Sequence, residues 1–349
     1  GLQLSPNASR ILIELGLEPV LARYAATPER LLVRDGTDGK TLSTLPMGSS
    51  FFEKFGAPYW SIHRADLQTV LLDAVRGLGT VRLIFGRKVS AIIKNDDQDL
   101  IVTCSSATQS EDVSCRALIG ADGLWSNVAE LIGPAKAPEF LGYQAWRGLI
   151  PIQDWPSHLP KTESRLWLGS KAHLVHYPLR RGNAINVVAV TSDSENRPGW
   201  SHPGERHKIT DRFREWAPDA KDVINAVAEW SVWSLFDRAA RPQWGTHRVT
   251  LLGDAAHPVL PFLAQGAALA IEDAATLAKD IIATPTDVTG ALRRYEAKRR
   301  SRASQVQEAA RANGRTYHLG WPLNKARNFV MARTDLSKRY DWLYSFTLN

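Results

Sequence analysis

The sequence predicts an α/β fold in which one α/β lobe is interrupted by a domain of antiparallel β-sheet. Helical and strand-like segments alternate near both ends of the chain, whereas the middle consists mainly of strand-like runs joined by short polar turns. The chain has 349 residues, of which 44% are hydrophobic, and it contains no low-complexity tract. This length exceeds one average domain, so we expect two lobes that share a large core.

The first half of the chain contains helical, hairpin and strand patterns in turn. Two Asp-Gly pairs indicate the hairpin, and apolar residues at spacings of three and four up to a glycine indicate the second helix. Short apolar runs separated by an Asn-Asp-Asp turn indicate the strands. The predicted elements are a helix over 5–24, a hairpin over 28–45, a helix over 64–79 and strands over 81–106 and 111–123.

The second half returns from strands to helices. Residues 165–192 contain two strand-like runs joined by Arg-Arg-Gly-Asn, which predicts an antiparallel hairpin. Helical patterns cover 205–230, and a short β-branched apolar strand follows at 248–252. An alanine-rich helix and two further helices are predicted after it.

The net charge of +7 raises the question of a nucleic-acid partner. Basic residues concentrate in 291–315, but there they alternate with Glu296, Glu308 and apolar positions at helical spacing. This pattern favours a solvated helix face over a nucleic-acid-binding arm, and a basic surface equally attracts an anionic small molecule. No apolar run is long enough to span a membrane. Cys104 and Cys115 lie in no metal-ligand spacing, so we expect free thiols, no metal and a cytoplasmic protein.

The stretch 248–274 ends an apolar strand with a glycine and a carboxylate. Ligands of open α/β sheets lie beyond the carboxyl ends of strands, where Gly253 and Asp254 fall. A carboxylate there accepts hydrogen bonds from vicinal hydroxyls, as on a ribose or a ribityl chain. Gly266 allows a ligand close to the backbone, and the helix that follows directs its positive end toward it. The alternative is a core helix after a capped turn with a solvent-facing aspartate, and this stretch alone leaves both open.

A second stretch, 116–127, has the same arrangement. An apolar strand ends in Gly120-Ala121-Asp122-Gly123, and Ser126 is positioned to cap the next helix. Two strands that each end in glycine and aspartate suggest two contacts with one extended cofactor that carries hydroxyl and phosphate groups. Together the two stretches favour a nucleotide cofactor.

These motifs resemble those of the class A flavin-dependent aromatic hydroxylases, most closely the salicylate hydroxylase-like branch. GDAAHPVLPFLAQGAALAIEDA (253–274) is similar to the motif whose aspartate holds the ribityl chain of FAD, and GADGLWSN (120–127) resembles the family's Asp-Gly motif. HRADLQTVLLDAV (63–75) looks like the helix whose arginine, here Arg64, approaches the flavin. The segment ARANGRTYHL (310–319) looks like part of the C-terminal helices of that branch.

The resemblance implies FAD as the cofactor, NADH or NADPH and O2 as co-substrates, and a monomer or a homodimer. It implies a Rossmann-like FAD-binding lobe interrupted by an antiparallel substrate domain, with C-terminal helices. The implied domains are a FAD-binding lobe over 1–140 with an excursion into the sheet near 28–60, a substrate domain over 141–240, the second part of the FAD-binding lobe over 241–285 and C-terminal helices over 286–349. The implied cofactor-binding residues are Gly253, Asp254, Gly266, Ala267, Asp122, Gly123 and Arg64.

The chain departs from the family pattern in two places. The family opens with a GxGxxG turn that binds the ADP half of FAD, and no GxGxxG occurs here, so we expect a FAD-binding lobe that is incomplete at its N-terminus. The family's Asp-Gly motif usually carries an arginine six residues after its glycine, where this chain has Ala129. A binding protein without FAD is therefore an alternative from another class, and a nucleic-acid binder is a second.

The family's chemistry implies roles for three further residues. Reduced flavin reacts with O2 to a flavin hydroperoxide, which transfers OH to an electron-rich ring, and a base that deprotonates a phenol assists this transfer. In AHLVHYPLR (172–180) alternate residues share a face, so His173 and Tyr177 point one way and His176 the other. The resemblance directs His173 and Tyr177 toward the substrate and the flavin, with His173 as base or phenol partner and Tyr177 as ring neighbour. Pro261 resembles the family position that approaches the substrate near the flavin. The alternative is two sheet residues satisfied by cross-strand hydrogen bonds.

The expected substrate is a monocyclic hydroxylated aromatic acid. Salicylate, which would become catechol, is the first expectation, and a hydroxynicotinate or a hydroxybenzoate follows. Arg147 and Arg180 are candidate partners for the carboxylate. We expect His257 to orient the turn after Asp254, and Trp146 to pack in the core.

Overall fold

The computed structural model describes residues 1–95, 100–134, 136–196 and 201–348. The strands are β1 (Leu2–Leu4), β2 (Arg30–Asp35), β3 (Thr41–Pro46), β4 (Trp60–Ile62), β5 (Lys88–Asn95), β6 (Leu100–Ser105), β7 (Ser110–Cys115), β8 (Leu118–Gly120), β9 (Glu139–Pro151), β10 (Ser164–Gly169), β11 (Ala172–Leu179), β12 (Ala184–Ser192), β13 (His202–Gly204), β14 (Trp230–Asp237), β15 (Gly245–Thr246) and β16 (Val249–Leu251). The helices are α1 (Pro6–Glu14), α2 (Glu18–Leu21), α3 (Ser49–Phe55), α4 (Arg64–Gly77), α5 (Asn127–Leu131), α6 (Arg206–Phe213), α7 (Pro218–Ala226), α8 (Gly266–Ala283), α9 (Val288–Tyr317), α10 (Leu323–Met331), α11 (Leu336–Arg339) and α12 (Asp341–Tyr344).

The chain folds as two units. Unit 1 comprises Gly1–Leu71, Phe140–Phe236 and Arg311–Thr347, and unit 2 comprises mainly Leu72–Glu139 and Asp237–Ala310. The amino-terminal residues and the last helices belong to unit 1 because β2 and β3 extend its sheet, and α10 and α11 pack against β3. This division differs there from the domains that the resemblance implies, and the functional labels of those domains stay predictions.

Unit 1 is built on an eight-stranded sheet of order β13-β14-β9-β12-β11-β10-β2-β3. β10, β11 and β12 are antiparallel neighbours, and β10 pairs in parallel with β2. β2 and β3 form the predicted hairpin. An apolar core of this unit includes side chains from the sheet and from α6 and α7, among them Trp146, Trp167, Leu174, Phe213 and Val223. The prediction that Trp146 packs in the core is confirmed.

Strand β11 alternates between the two faces of this sheet, as predicted. Leu174 belongs to the apolar core. His176 is on the same side of the strand, and its ring centroid lies 5.1 Å from that of Trp155. His173 and Tyr177 project from the opposite side because side chains alternate along a strand. The strand therefore separates the two histidines into different surroundings.

His176 makes the free energy of unfolding of unit 1 depend on pH. Its ring nitrogens have no hydrogen-bond partner among the described residues. Burial, assisted by Arg165 and Arg34, lowers the pKa of His176 from 6.5 to about 3. Between these two values the unfolded chain binds a proton that the folded chain does not. The free energy of unfolding therefore falls as the pH drops below 6.5, by about 1.4 kcal/mol per pH unit.

Substitution of His176 by phenylalanine should remove this part of the slope while keeping an aromatic ring in the core. Urea unfolding of the two proteins at several pH values between 7 and about 4 checks this. Equal slopes for His176→Phe and the parent protein would show that His176 does not carry the effect.

Unit 2 contains two smaller sheets, of order β15-β16-β8 and β5-β6-β7. β16 is buried along its length and pairs in parallel with β8, as the β-branched run predicts. Trp244, Leu251 and Tyr295 lie in the core of this unit. Cys104 and Cys115 are free thiols on β6 and β7.

Three predicted elements differ from the structure. The helix predicted over 5–24 is two helices, because Gly16 takes a left-handed φ of +75° after α1. The strand predicted from residue 81 begins only at Lys88, since the residues before it pair with no strand in the part of the chain that the structure describes. The run 165–179 is two strands because Lys171, with a φ of +54°, turns the chain between β10 and β11. Most of the Asn-Asp-Asp turn lies outside the described residues.

Within the described ranges, no helix has the length and hydropathy of a membrane span. Among the same residues, no group of three or more His, Cys, Asp or Glu side chains is arranged to hold a metal ion.

Candidate functional site

The two Gly-Asp stretches meet at one edge of a sheet in unit 2. β16 runs parallel to β8 with Leu251 opposite Gly120. The backbone N–H of Leu252 donates to the carbonyl of Gly120 over 2.9 Å. Because the carboxyl ends of parallel strands lie at the same edge, Asp122 and Asp254 leave the sheet side by side. This arrangement allows one ligand to contact both turns.

The Asp254 turn borders the start of α8. Gly253 is buried with a φ of +60° and opens a short 3-10 turn that leaves Asp254 exposed. A Cβ atom on Gly266, the first residue of α8, would lie 3.9 Å from Oδ1 of Asp254. The side chain of Gln265 makes no capping hydrogen bond to α8, and the first turn of α8 has no acidic residue. A carboxylate and a positive helix end therefore border one space, which suits a ligand that carries hydroxyl groups and negative charge.

The Asp122 turn is fixed by the helix that follows it. The Asp122 carboxylate accepts hydrogen bonds from the hydroxyl of Ser126 and, over 3.2 Å, from the N–H of Val128. Ser126 caps α5 by accepting from the N–H of Ala129 over 2.9 Å, as predicted. The carbonyl of Ala129 accepts from Nη1 of Arg241 over 3.0 Å. Arg241, from another segment, therefore supports α5 at the position where the family that this motif resembles usually has an arginine of its own.

Arg238 joins the two turns, and the sequence gives no sign of it. Its buried guanidinium donates from Nη1 to the carbonyl of Leu124 over 3.1 Å. Its Nη2 donates to the carbonyls of Asp254 and Ala255 over 3.2 and 2.6 Å. Burial, the largest influence, lowers the pKa of Arg238, while the carboxylates of Asp254 and Asp122 act in the opposite direction. Because Arg238 is a single arginine outside any motif, only the folded structure shows that it contacts both turns.

A buried ion-pair network holds the turn at Gly253. The carboxylate of Asp273 accepts from the N–H of Gly253 over 3.1 Å and from Nε of Arg299 over 2.7 Å, and it lies 2.5 Å from Nε2 of His257. Burial is the largest influence on Asp273 and opposes ionisation, but His257 and Arg299 hold its pKa below the usual value. His257 therefore orients the turn, as predicted.

The same network corrects the prediction of a solvated basic face over 291–315. Arg299 is only 1% exposed and donates from Nη2 to Glu272 over 2.6 Å. Arg302 donates to both carboxylate oxygens of Glu272, over 2.6 and 2.7 Å. Glu272 is completely buried, and a buried carboxylate requires such cations beside it. Part of the basic pattern of α9 therefore pairs with α8 instead of facing solvent.

In unit 1, His173 and Tyr177 are both buried on the sheet face away from Leu174. The register of the strands places Asn186 beside Tyr177 and Arg147 two strands away from β11. Burial raises the pKa of Tyr177 and lowers the pKa of His173. Both side chains are therefore neutral at neutral pH, as a proton acceptor and a phenolic ring neighbour require.

A cleft of about 830 Å³ opens in unit 1, and Arg64, Arg147, Asn186 and Trp233 are among the residues that line it. The guanidinium of Arg147 lies 4.7 Å from the centroid of the Trp233 ring. Its Nε is buried and has no hydrogen-bond partner in the part of the chain that the structure describes. Burial, the largest influence, lowers the pKa of Arg147. Arg147 therefore brings a cation with unused hydrogen-bonding capacity to the cleft.

The second candidate partner for a carboxylate, Arg180, is exposed and donates to Asp66 over 3.3 Å. Pro261, also exposed, opens a short 3-10 turn before α8. Of the site residues predicted from the sequence, unit 1 contains Arg64, His173 and Tyr177, and unit 2 contains Asp122, Gly123, Gly253, Asp254, Pro261, Gly266 and Ala267.

His173 also has a partner that the sequence does not indicate. Its Nδ1 lies 2.8 Å from Nε2 of His318, the first residue after α9. The two residues are 145 positions apart, so no local pattern connects them.

Comparison with known proteins places the chain in a family. Residues 6–310 match a family model described as FAD binding domain. The chain is 34% identical over 351 residues to 3-hydroxybenzoate 6-hydroxylase 1 of Aquipseudomonas alcaligenes, which covers 99% of this chain and 87% of that relative. It is 35% identical over 349 residues to a 3-amino-4-hydroxybenzoate 2-monooxygenase of Streptomyces platensis, with 99% and 86% covered.

Solved structures show the same fold. The structure of a salicylate hydroxylase substrate complex has a TM-score of 0.84 with 23% identity, and the match covers 99% of this chain and 88% of that one. The predicted α/β fold class is confirmed.

Proposed function

We propose that this chain, which belongs to the flavoprotein aromatic hydroxylases, hydroxylates the ring of a hydroxybenzoate. FAD is the cofactor, and NADH or NADPH is the electron donor. The two relatives are named for benzoates with a hydroxyl at position 3 or 4. We therefore place 3-hydroxybenzoate first in the substrate class, ahead of salicylate and 6-hydroxynicotinate.

Arg147 is the main reason for proposing an acid as the substrate. An unpaired carboxylate entering the cleft meets a guanidinium whose Nε has no partner within the described part of the chain. A charge-assisted hydrogen bond between these groups is stronger than one to a neutral hydroxyl. The ring of Trp233 beside Arg147 holds the guanidinium in place and adds an apolar wall to the cleft.

The spacing on the sheet supports 3-hydroxybenzoate as a ligand that joins Arg147 to His173. Arg147 lies two strands from β11, in line with Val175, and His173 lies two residues beyond Val175. With strands about 4.8 Å apart and a rise of about 3.4 Å per residue, the two Cα atoms are roughly 12 Å apart. Because both side chains project from the same face of the sheet, a benzoate ring that lies over β12 can reach both. In this pose the carboxylate faces Arg147 and the hydroxyl faces His173.

The groups that would hold FAD are those at the edge of the unit 2 sheet. When bound, FAD supplies the reductive activation of O2. Asp254 would accept hydrogen bonds from ribityl hydroxyls, and the first N–H groups of α8, at Gly266 and Ala267, would stabilise negative charge on the ring system. Arg238 fixes the backbone of both turns around this space.

A substrate panel tests the proposal. The FAD-loaded protein is assayed for NADH and NADPH oxidation with 3-hydroxybenzoate, 4-hydroxybenzoate, salicylate and 6-hydroxynicotinate, and with 3-hydroxybenzyl alcohol as a neutral match to the first acid. We expect 3-hydroxybenzoate to give the highest kcat/KM and the alcohol to give little stimulation. Equal stimulation by the acid and the alcohol would contradict the role of Arg147.

A methyl group on Gly266 should weaken FAD binding without weakening the fold. The added Cβ would be in ordinary contact with Asp254, so unit 2 accepts it, and alanine also favours the helix over glycine. The same methyl group would occupy the space beside the carboxylate where the ligand approaches. We expect Gly266→Ala to raise the Kd for FAD about tenfold or more, which is about 1.4 kcal/mol.

Fluorescence titration with FAD and thermal unfolding of the apo protein check this prediction. Gly77→Ala is the control, because a Cβ there would meet nothing within 4 Å. If both variants bind FAD as the parent protein does, the space at Gly266 does not hold the cofactor.

A further inference from the structure

His173 and His318 form a buried pair of imidazoles. Nδ1 of His173 lies 2.8 Å from Nε2 of His318, and the two ring planes are stacked with centroids 5.0 Å apart. The side chains are 4% and 7% exposed. At this distance one nitrogen donates and the other accepts, so a proton can pass between the rings without any movement of the chain.

The surroundings hold both rings in place. The ring of Tyr317 meets that of His173 edge-on, with centroids 5.6 Å apart. The ring of Tyr143 stacks on that of His318 at 4.7 Å. The backbone N–H of Lys171 donates to the carbonyl of His318 over 3.1 Å. These contacts fix the geometry that a proton transfer between the rings requires.

His318 is itself buried, but segments next to it are exposed. Trp321, three residues further along the chain, is 82% exposed. Arg212 donates from Nη2 to the carbonyl of Ser170 over 2.6 Å, and Ser170 is exposed. Arg327 donates to the carbonyl of Tyr317 over 2.8 Å. His318 is therefore bordered by segments that reach the surface of unit 1, whereas His173 lies on the strand.

We propose that His318 is a proton-relay partner of His173, which carries the proton of the substrate hydroxyl from the buried sheet face to solvent. This inference rests on the proposed function. The O–H bond of the hydroxybenzoate breaks as Nε2 of His173 takes the proton. The Nδ1–H bond of His173 breaks as Nε2 of His318 takes that proton, and His318 gives up the proton on its buried Nδ1 when a water molecule reaches that nitrogen. One proton leaves the substrate, one reaches solvent, and both imidazoles end neutral.

The charges around the pair favour passage of the proton over its retention. Burial lowers the pKa of His318 to about 4, and Arg212 and Arg327 add to this effect. Burial also lowers the pKa of His173, and His318 contributes. A lone buried histidine would have to keep the proton as an imidazolium in an apolar site, which is costly. A second imidazole, bordered by segments that reach the surface of unit 1, gives the proton a route away from His173.

The test compares His318→Gln with the parent FAD-loaded protein. Glutamine keeps a polar side chain at this position but does not carry a proton at neutral pH. The proteins are mixed with 3-hydroxybenzoate without O2, and the phenolate absorbance and the proton release to a pH indicator are followed by stopped flow. We expect the rates of phenolate formation and proton release to fall at least tenfold in His318→Gln. The Kd for 3-hydroxybenzoate should stay within twofold of the parent value, and the Tm within about 2 °C. The control is His207→Gln, because His207 lies exposed on α6.

Two further measurements separate a relay from a purely structural role. Exogenous imidazole should restore the proton-release rate of His318→Gly in proportion to its concentration. The solvent-isotope inventory of the parent protein should be curved, since two protons move in the step, and this measurement needs no variant. Parent-like release rates in His318→Gln, absence of imidazole rescue or a linear inventory would each overturn the relay. If the parent protein neither binds nor hydroxylates any hydroxybenzoate, it is the proposed function that fails.

Discussion

Replacement of Arg299 by methionine is expected to lower the free energy of unfolding of unit 2 by about 3–5 kcal/mol. Arg299 is 1% exposed and pairs with two carboxylates, Asp273 and Glu272, that are themselves completely buried. Methionine fills a similar volume but leaves the buried Asp273 carboxylate with His257 and the N–H of Gly253 as its remaining partners, and Glu272 with Arg302. Removing one partner from a buried network of charges costs far more than the lost attraction of a surface pair.

Urea unfolding of the apo protein measures this effect, and Arg294→Met is the matched control. Arg294 is on the same helix, and its pair with Asp287 is exposed on both sides, with side chains 41% and 57% exposed. A surface pair of this kind contributes at most about 1 kcal/mol. Similar losses in the two variants would contradict the structural role given to the buried network. We further expect Arg299→Met to weaken FAD binding, because Asp273 no longer holds the N–H of Gly253 in a fixed place.

Replacement of Arg147 by glutamine is expected to raise the KM for 3-hydroxybenzoate about 10- to 100-fold, which corresponds to the loss of one hydrogen bond to a charged group, about 1.5–3 kcal/mol. Because the carboxylate is bound in the same way before and during the reaction, kcat should change little. Steady-state kinetics of the FAD-loaded variant at saturating NADH measure both constants.

Two controls make this prediction specific. The kcat/KM for the neutral 3-hydroxybenzyl alcohol should be the same in the parent protein and in Arg147→Gln, since the alcohol has no carboxylate. Arg180→Gln should leave the KM unchanged because Arg180 is exposed and paired with Asp66. A KM for the acid that is the same in Arg147→Gln and the parent protein would rule Arg147 out as the carboxylate partner.

The sequence predicts those parts of the molecule whose cause is local. Gly253 and Asp254 follow a buried β-branched strand, and the parallel pairing of β16 with β8 brings them next to Asp122, as expected from two separate stretches. Alternation along β11 likewise predicts that His173 and His176 point to opposite faces. In each case the residue type and the spacing of a few neighbours are sufficient.

Parts of the site that depend on packing between distant segments are not visible in the sequence. Arg238 is a single arginine in a segment without a motif, and only the folded chain shows that it joins both turns. The partner of His173 is 145 positions away at the end of α9. The basic residues of α9 have the spacing of a solvated face, yet Arg299 is buried because α8 carries two buried carboxylates opposite it. A charge pattern on one helix does not reveal which charges a second helix supplies.

The central claim, that this chain uses FAD to hydroxylate a hydroxybenzoate, is tested most directly by the ratio of product to NADH consumed. The FAD-loaded protein is incubated with 3-hydroxybenzoate, NADH and O2. The ring products are separated and quantified by chromatography, and their amounts are compared with the NADH oxidised and the peroxide released. We predict close to one dihydroxybenzoate formed per NADH, with little peroxide. NADH oxidation that yields only peroxide, or that does not respond to any hydroxybenzoate, would contradict the claim.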